Sequence, residues 1–247
     1  MNYNIVSLAD RPDLEERFYQ FYRKHWPEFM LEDVVASTHW MPLMKAFLDC
    51  QLLLMSGSEI LAVLDAVPLN FEKSLGELPD EGFDWALKKS LSDYQASIKS
   101  NILVGLQIVV SRNHQGKGLS LLAVKEMANL AKQKGITQLV IPVRPSDKHK
   151  YALIPMENYI KWKNKAGFPL DNWLRVHIKA GGEIIKVCSR SMYIPGTIEE
   201  WKQWTKLDFP ESGSYIIPGA LNPISIDIEK DEAIYIEPNV WILHRIK

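Results

Sequence analysis

"SRNHQGKGLS", residues 111–120, joins two segments of different character and decides how the chain is interpreted. The segment before it, "NILVGLQIVV" (101–110), is a long apolar run and predicts a strand at the centre of a sheet. The segment after it has apolar residues at helical spacing, which predicts a helix over 119–134 that ends at Gly135. A short, glycine-rich turn therefore connects a buried strand to a helix.

This turn has the features of an anion-binding site, although glycines also occur in turns that bind nothing. The first N–H groups of a helix have no partner within the helix, and the helix dipole adds positive charge there. Glycine lets an anion approach such a backbone closely, so "QGKGLS" can hold a diphosphate. The chain has no GxxxxGK[ST] motif, and the third glycine of a dinucleotide-binding fingerprint is missing.

Composition predicts a globular protein of one large domain, or of one domain with an extension. The chain has 247 residues, of which 47% are hydrophobic and 24% charged, and its net charge is −1. That charge gives no basic field, so we expect neither nucleic acid nor a membrane as a partner. No apolar run reaches the ~18–20 residues that span a bilayer, and the N-terminus lacks a signal sequence, which predicts a cytoplasmic location.

Metal-binding patterns are missing from the sequence. Cys50 and Cys188 lie far apart and are expected to be buried thiols, and no two histidines have the spacing of a helical metal site. We therefore expect no metal.

The order of elements predicts a mixed α/β fold. Strand 102–110, its helix and strand 137–143 should form a right-handed parallel crossover. The other predicted elements are strand 3–8, helices over 12–26, 30–37 and 42–49, a hairpin over 51–69, helices over 82–97, 155–165 and 171–182, strand 183–194, a helix from Thr197, and three strand-like runs at the C-terminus.

In this context "QGKGLS" resembles the acyl-CoA-binding motif of the GNAT (Gcn5-related N-acetyltransferase) superfamily, [Q/R]-x-x-G-x-[G/A]. Gln115, Gly118 and Ser120 occupy its three defined places, with serine instead of the usual glycine or alanine. The resemblance implies a GNAT fold of class α/β (α+β), a mixed central sheet flanked by helices, and acetyl-CoA or another acyl-CoA as co-substrate. The residues implied to bind it are Val110, Gln115, Gly116, Lys117, Gly118, Leu119 and Ser120.

The segment "VHIKAGGEIIKV" (176–187) resembles the family segment whose tyrosine lies near the cofactor's sulfur. His177 takes the place of that tyrosine, which implies a helical insertion over about 144–170. An imidazole can give or take a proton near neutral pH, so His177 is a candidate acid–base group. The alternative is a histidine that only packs on its helix.

Further stretches, over 143–162, 173–182, 218–226 and 235–245, resemble stand-alone bacterial GNAT-like proteins and the GNAT-like loading domains of polyketide synthases. In those domains a histidine and a threonine act on the thioester, with a tryptophan and an arginine beside the acyl group. The resemblance implies that His177 and Ser146 are catalytic and that Trp40 and Arg190 bind substrate. Packing for Trp40, a solvated loop for Ser146 and an ion pair for Arg190 are the alternatives.

Three functions follow from the resemblance. The first is transfer of an acetyl or other short acyl group from coenzyme A to a small-molecule or carrier-protein acceptor, by a monomer or homodimer. The second is decarboxylation of a malonyl-type thioester, and the third is non-catalytic acyl-CoA binding. Residues 1–195 are expected to form the acyl-CoA-binding domain, with a C-terminal helix and β extension over 196–247 packed on it.

Overall fold

The structure, a computed structural model, describes residues 3–247. Its strands are β1 Asn4–Ser7, β2 Gln51–Ser56, β3 Glu59–Leu69, β4 Ile102–Val110, β5 Gln138–Val143, β6 Glu183–Gly196, β7 Gly213–Tyr215, β8 Ile224–Asp227 and β9 Glu232–Arg245. Its α-helices are α1 Glu15–Arg23, α2 Val34–Ala46, α3 Gly82–Gln95, α4 Leu119–Gln133, α5 Met156–Tyr159, α6 Asn172–Lys179 and α7 Ile198–Thr205.

The nine strands form one mixed sheet. Its order is β1-β2-β3-β4-β5-β9-β8-β7, and β6 pairs with β9 outside this path. Strands β1 to β4 are antiparallel neighbours, β4 and β5 are parallel, and β5 pairs antiparallel with β9. The mixed α/β fold and the parallel strand–helix–strand unit predicted from the sequence are confirmed.

Helices cover both faces of the sheet because successive residues of a buried strand point to opposite sides. On β4, Leu103 belongs to the core on the side of α4 and α6, whereas Val104 belongs to the core on the side of α2 and α3. The β4 strand is buried along most of its length, as its unbroken apolar run predicts.

The parallel strands β4 and β5 stay together over only a short distance. Their register pairs Leu103 with Leu139 and Val104 with Val140, and no later pair follows, although both strands continue. Gly105 stands where they part, and a Cβ there would lie 2.5 Å from Met127 Sδ of α4. Glycine at this position therefore lets α4 pack closely against the sheet beside an open split.

Two predicted helical regions differ from the structure. The stretches 30–37 and 42–49 were expected as separate helices, but α2 (Val34–Ala46) joins the end of the first to most of the second, with Pro42 inside it. The helix expected over 155–165 is present only as the short α5, and the Asn164 side chain accepts hydrogen bonds from the N–H groups of Ala166 and Phe168 in the turn that follows.

The C-terminal strands contribute to the centre of the sheet. Residues 240–243 of β9 lie between β5 and β6, and residues 232–234 pair with β8. The division at residue 195 and the 144–170 insertion stay predictions. Within residues 3–247, no helix has the length and apolar character that crossing a bilayer requires.

Candidate active site

A cavity of about 1050 Å³ occupies the split between β4 and β5. One end lies at the turn before α4, and the other end reaches Glu237 and Asn239 of β9. Residues 105–108 of β4 and 141–143 of β5 form its walls, and side chains of α2 and α6 cover it. The cavity therefore brings the glycine-rich turn and polar groups of β9 into one continuous space.

The turn before α4 presents a row of free backbone donors. The N–H groups of residues 116–121 have no hydrogen-bond partner among the described residues. Gly116 and Gly118 have φ values of +75° and +79°, and a Cβ at either position would meet no protein atom within 4 Å. The Gly118 residue is also the N-cap of α4, so the row lies at the positive end of a 15-residue helix. This arrangement suits a diphosphate.

Most of the predicted cofactor-binding residues line this cavity: Val110, Gln115, Gly116, Gly118 and Ser120 do so. The side chains of Lys117 and Leu119 do not. Lys117 Nζ turns back to donate to Asn113 O at 3.2 Å, and Leu119 is buried in the core beneath α4. Only the backbone N–H groups of these two residues belong to the donor row.

Ser146 and Trp40 also line the cavity. Ser146 lies exposed in a bend after β5, and its hydroxyl has no partner among the described residues. The Trp40 ring stacks on Phe83, with centroids 6.1 Å apart, and its Nε1 is buried without a partner among residues 3–247. The structure therefore brings these two predicted residues and the turn into one cavity.

His177 is not among the residues that line the cavity, so the prediction that it lies beside the sulfur has to be corrected. In α6, Trp173 and Val176 face the cavity, while His177 falls on the face that packs toward β9. Its ring is fully buried, with Nδ1 3.0 Å from His244 Nε2. Burial and the neighbouring His244 lower the pKa of His177 well below its usual value, so this imidazole stays neutral.

Arg190 is the second correction. It is exposed and lies where the pairing of β6 with β9 is interrupted between Cys188 and Met192. Its backbone N–H donates to Asp80 O at 3.0 Å, which holds it outside the cavity. The arginine at the inner end of the cavity is Arg144, which directly follows β5.

Arg144 is part of a buried polar network that the sequence analysis missed. Its Nε donates to Glu237 Oε1 at 2.5 Å, and one terminal nitrogen donates to Gly219 O. The Tyr235 hydroxyl donates to the other Glu237 oxygen at 2.5 Å. Burial and the adjacent carboxylate raise the pKa of Tyr235 well above its usual value, so the phenol keeps its proton and remains a donor.

A second missed group lies on the opposite wall. Gln107 of β4 lines the cavity, its Nε2 donates to Asp65 Oδ2 at 2.5 Å, and its Oε1 accepts from Trp26 Nε1 at 2.7 Å. Burial raises the pKa of Asp65 to about 8. The Arg144 guanidinium lies 5.9 Å from the centre of the Trp26 ring, so one indole links the two walls of the split.

The geometry suits acyl transfer from an anionic carrier. The donor row can hold phosphates at one end, and ordered polar side chains surround the other end. Among residues 3–247, no group of histidine, cysteine, aspartate or glutamate side chains has the arrangement of a metal site.

Comparison with known proteins agrees with this geometry. No family model matches the chain. The chain is 31% identical, over an alignment 277 positions long, to the arginine N-acetyltransferase avaD of Aspergillus versicolor, with 99% of this chain and 94% of that protein covered.

Two solved structures share the fold. The loading GNATL domain of CurA from Lyngbya majuscula has a TM-score of 0.63 at 16% identity, and the alignment covers 100% of this chain and 98% of that one. The GphF GNAT-like decarboxylase in complex with isobutyryl-CoA has a TM-score of 0.51 at 12% identity, with 100% of both chains covered. Together with the fungal relative, these findings show that the chain belongs to the GNAT superfamily and is an acyltransferase enzyme of that superfamily.

Proposed function

We propose that this enzyme transfers an acetyl or other short acyl group from coenzyme A to the nitrogen of a small-molecule amine. The observation that carries the proposal is the continuous cavity between the donor row of 116–121 and the polar groups around Arg144. An acyl-CoA needs a site for its phosphates, a passage for its pantetheine arm and an acceptor site next to its thioester. The donor row, the split between β4 and β5, and the polar groups around Arg144 support these three assignments.

In this proposal the diphosphate of coenzyme A accepts hydrogen bonds from the amides of 116–121. The pantetheine arm lies along residues 105–110 of β4, whose backbone has no β5 partner beyond Val104. The amides of the arm can then take the hydrogen bonds that a paired strand would have used. The thioester lies near Trp40 and Ser146, which line the same cavity.

Transfer forms one bond and breaks another. The amine nitrogen bonds to the thioester carbonyl carbon, the carbon–sulfur bond breaks, and the proton lost by the amine passes to the sulfur through solvent. We assign to Ser146 a hydrogen bond that stabilises the departing thiolate. His177 has no part in this step, because its ring lies behind α6.

The fungal relative makes arginine the first acceptor to assay, since its printed name is arginine N-acetyltransferase. Decarboxylation is less well supported than transfer, because the imidazole needed to protonate the carbanion is outside the cavity.

The test combines acetyl-CoA with a panel of amines and measures free thiol by absorbance and products by mass spectrometry. We expect thiol release that depends on the acceptor and yields an N-acetylated amine. Release of CO2 from malonyl-CoA without an acceptor would support the decarboxylase instead. Binding of coenzyme A without turnover of any thioester would support the non-catalytic alternative.

A further inference from the structure

We infer that the acceptor carries a free carboxylate next to its reacting amine, and that the guanidinium of Arg144 binds this carboxylate. This inference rests on the proposed acyl transfer and adds the class of acceptor, an α-amino acid. It comes from the unused donors of Arg144 and from the position of this residue at the split.

Arg144 is held in place and still has donors to offer. A guanidinium has five N–H groups. One donates to Glu237 and one to Gly219 O, and the other three have no partner among the described residues. The side chain keeps 18% of its surface exposed and lines the cavity. A fixed, planar set of donors facing a cavity is the geometry that binds a carboxylate through two hydrogen bonds.

Glu237 is out of reach of an acceptor's amine, because its side chain is fully buried and both of its oxygens face protein donors. One oxygen accepts from Arg144 and, at 3.3 Å, from Asn239 Nδ2, and the other accepts from Tyr235. The side chain is fully buried. Its effect is to hold the guanidinium in one orientation before any ligand arrives, which lowers the entropy cost of binding.

The position of Arg144 sets where the amine would lie. The Trp26 ring lies between Arg144 and Gln107, which stand on opposite walls where β4 and β5 diverge. A carboxylate bound to Arg144 therefore places an α-amine beside the split through which the thioester must enter. A simple amine without the carboxylate loses this anchor and leaves the guanidinium without its ligand.

The other cationic side chains of the cavity suit this role less well. Arg23 is exposed at the end of α1, where water screens its charge. Arg175 and Lys179 lie on α6 and are already engaged: Arg175 donates to Pro169 O and Leu170 O, and Lys179 lies 5.3 Å from the centre of the Phe168 ring.

The experiment compares α-amino acids with the amines that remain after loss of the carboxylate, starting with arginine and agmatine. Each pair shares its side chain and the position of its amine, so the ratio of kcat/KM values, calculated on the concentration of unprotonated amine, measures the contribution of the carboxylate. We expect the wild-type enzyme to favour the amino acid by about 10- to 100-fold. The Arg144→Lys variant keeps the charge beside Glu237 but loses the planar fork, and it should lose most of this preference through KM.

The control is Arg245→Lys, which makes the same change at an exposed position near the end of β9. It should keep the preference of the wild-type enzyme. Thermal midpoints of both variants check that they fold. Equal kcat/KM for amino acid and amine in the wild-type enzyme would overturn the inference, even if Arg144→Lys fails to fold. A preference that survives in a folded Arg144→Lys variant would overturn it as well.

A binding measurement separates this inference from the proposed function. Arginine and agmatine are titrated into the enzyme saturated with coenzyme A, and heat is measured without any turnover. If no amine is acetylated but arginine still binds more tightly than agmatine through Arg144, the proposed transfer fails and the carboxylate site stands. If amines are acetylated but neither binding nor kcat/KM depends on the carboxylate, the transfer stands and the site is refuted.

Discussion

His177 Nδ1 lies 3.0 Å from His244 Nε2, and both imidazoles are buried between α6 and β9. One ring nitrogen donates and the other accepts, which two neutral imidazoles satisfy. Gly182 makes this approach possible, since a Cβ there would lie 2.8 Å from both His177 O and His244 Cε1. The "AGG" segment (180–182) thus serves the packing of α6 against β9.

The histidine pair predicts a loss of stability in acid. Burial lowers the pKa of His244 to about 4, below its usual 6.5, so the unfolded chain binds the proton first. The contribution of neutral His244 to the free energy of unfolding is present above about pH 6.5 and is lost as the pH falls toward 4. In urea unfolding between pH 7.5 and 4.5, His244→Gln should flatten this decline relative to the wild type. If the free energy of unfolding of His244→Gln fell with pH as steeply as that of the wild type, this account would be refuted. It would also be refuted if the control His149→Gln flattened the decline equally.

Replacing His177 should not remove a catalytic group. Removal of a general acid or base typically costs 10²–10⁴-fold in rate. Because the ring lies outside the cavity, we expect His177→Asn to keep kcat within roughly threefold while lowering the thermal midpoint. A fall of 100-fold or more in kcat, with a changed pH profile, would return His177 to the reaction.

The buried carboxyl groups of Asp33 and Asp84 predict the opposite pH dependence of stability to that of the histidine pair, a loss as the pH rises. Burial, and next the charge of Asp33, raise the pKa of Asp84 to about 8. The folded chain then binds this proton more tightly than the unfolded chain does. The contribution of protonated Asp84 to the free energy of unfolding is therefore present below about pH 4 and is lost as the pH rises to 8. Asp84→Asn keeps the acceptor for the Tyr193 N–H and should raise the free energy of unfolding at pH 8 by roughly 2 kcal/mol.

The measurement for this pair is urea unfolding at pH 5 and pH 8. The exposed Asp208 provides the control, since Asp208→Asn should change neither value. A variant Asp84→Asn that is less stable than the wild type at both pH values would contradict the prediction.

Gly105 should be intolerant of a side chain. A Cβ there would lie 2.5 Å from Met127 Sδ and 2.9 Å from Ile141 Cγ1, so Gly105→Ala should cost about 1–3 kcal/mol of stability. It should also weaken coenzyme A binding, because it pushes α4 or β5 at the start of the split. Gly76→Ala, whose Cβ would meet only Ser74 Oγ at 3.8 Å, is the matched control for chemical denaturation. Equal stability of the two variants would contradict this reading of Gly105.

Local sequence patterns predicted the central strand, the turn and the helix after it. These elements depend on the spacing of apolar residues and on glycines in the turns, and both are visible within a few residues of sequence. The resemblance to the family segment, not a local pattern, put His177 in the cavity, and the residue of α6 that lines it there is the preceding Val176. In a helix, a shift from 176 to 177 turns the side chain by about 100°. The sequence predicted separate helices over 30–37 and 42–49, yet α2 continues through Pro42 because packing on the core overrides local preference.

The network around Arg144 lay beyond sequence reasoning because its partners are 75 and 93 residues away. Their meeting depends on β9 inserting beside β5, which no local pattern indicates. A weak signal was available: Arg144 directly follows a buried strand, and Glu237 stands inside an apolar one.

The binding of coenzyme A to the amides of 116–121 is the central claim, and paired glycine variants test it most directly. Gly118 and Gly135 stand at opposite ends of α4 with φ values of +79° and +68°, and a Cβ at either would meet no protein atom within 4 Å. Alanine therefore imposes similar backbone strain at both, about 1–2 kcal/mol, but only Gly118 lies in the cavity. In calorimetric titration with coenzyme A, we predict at least about tenfold weaker binding for Gly118→Ala and wild-type affinity for Gly135→Ala. Equal affinity in the two variants would contradict the account.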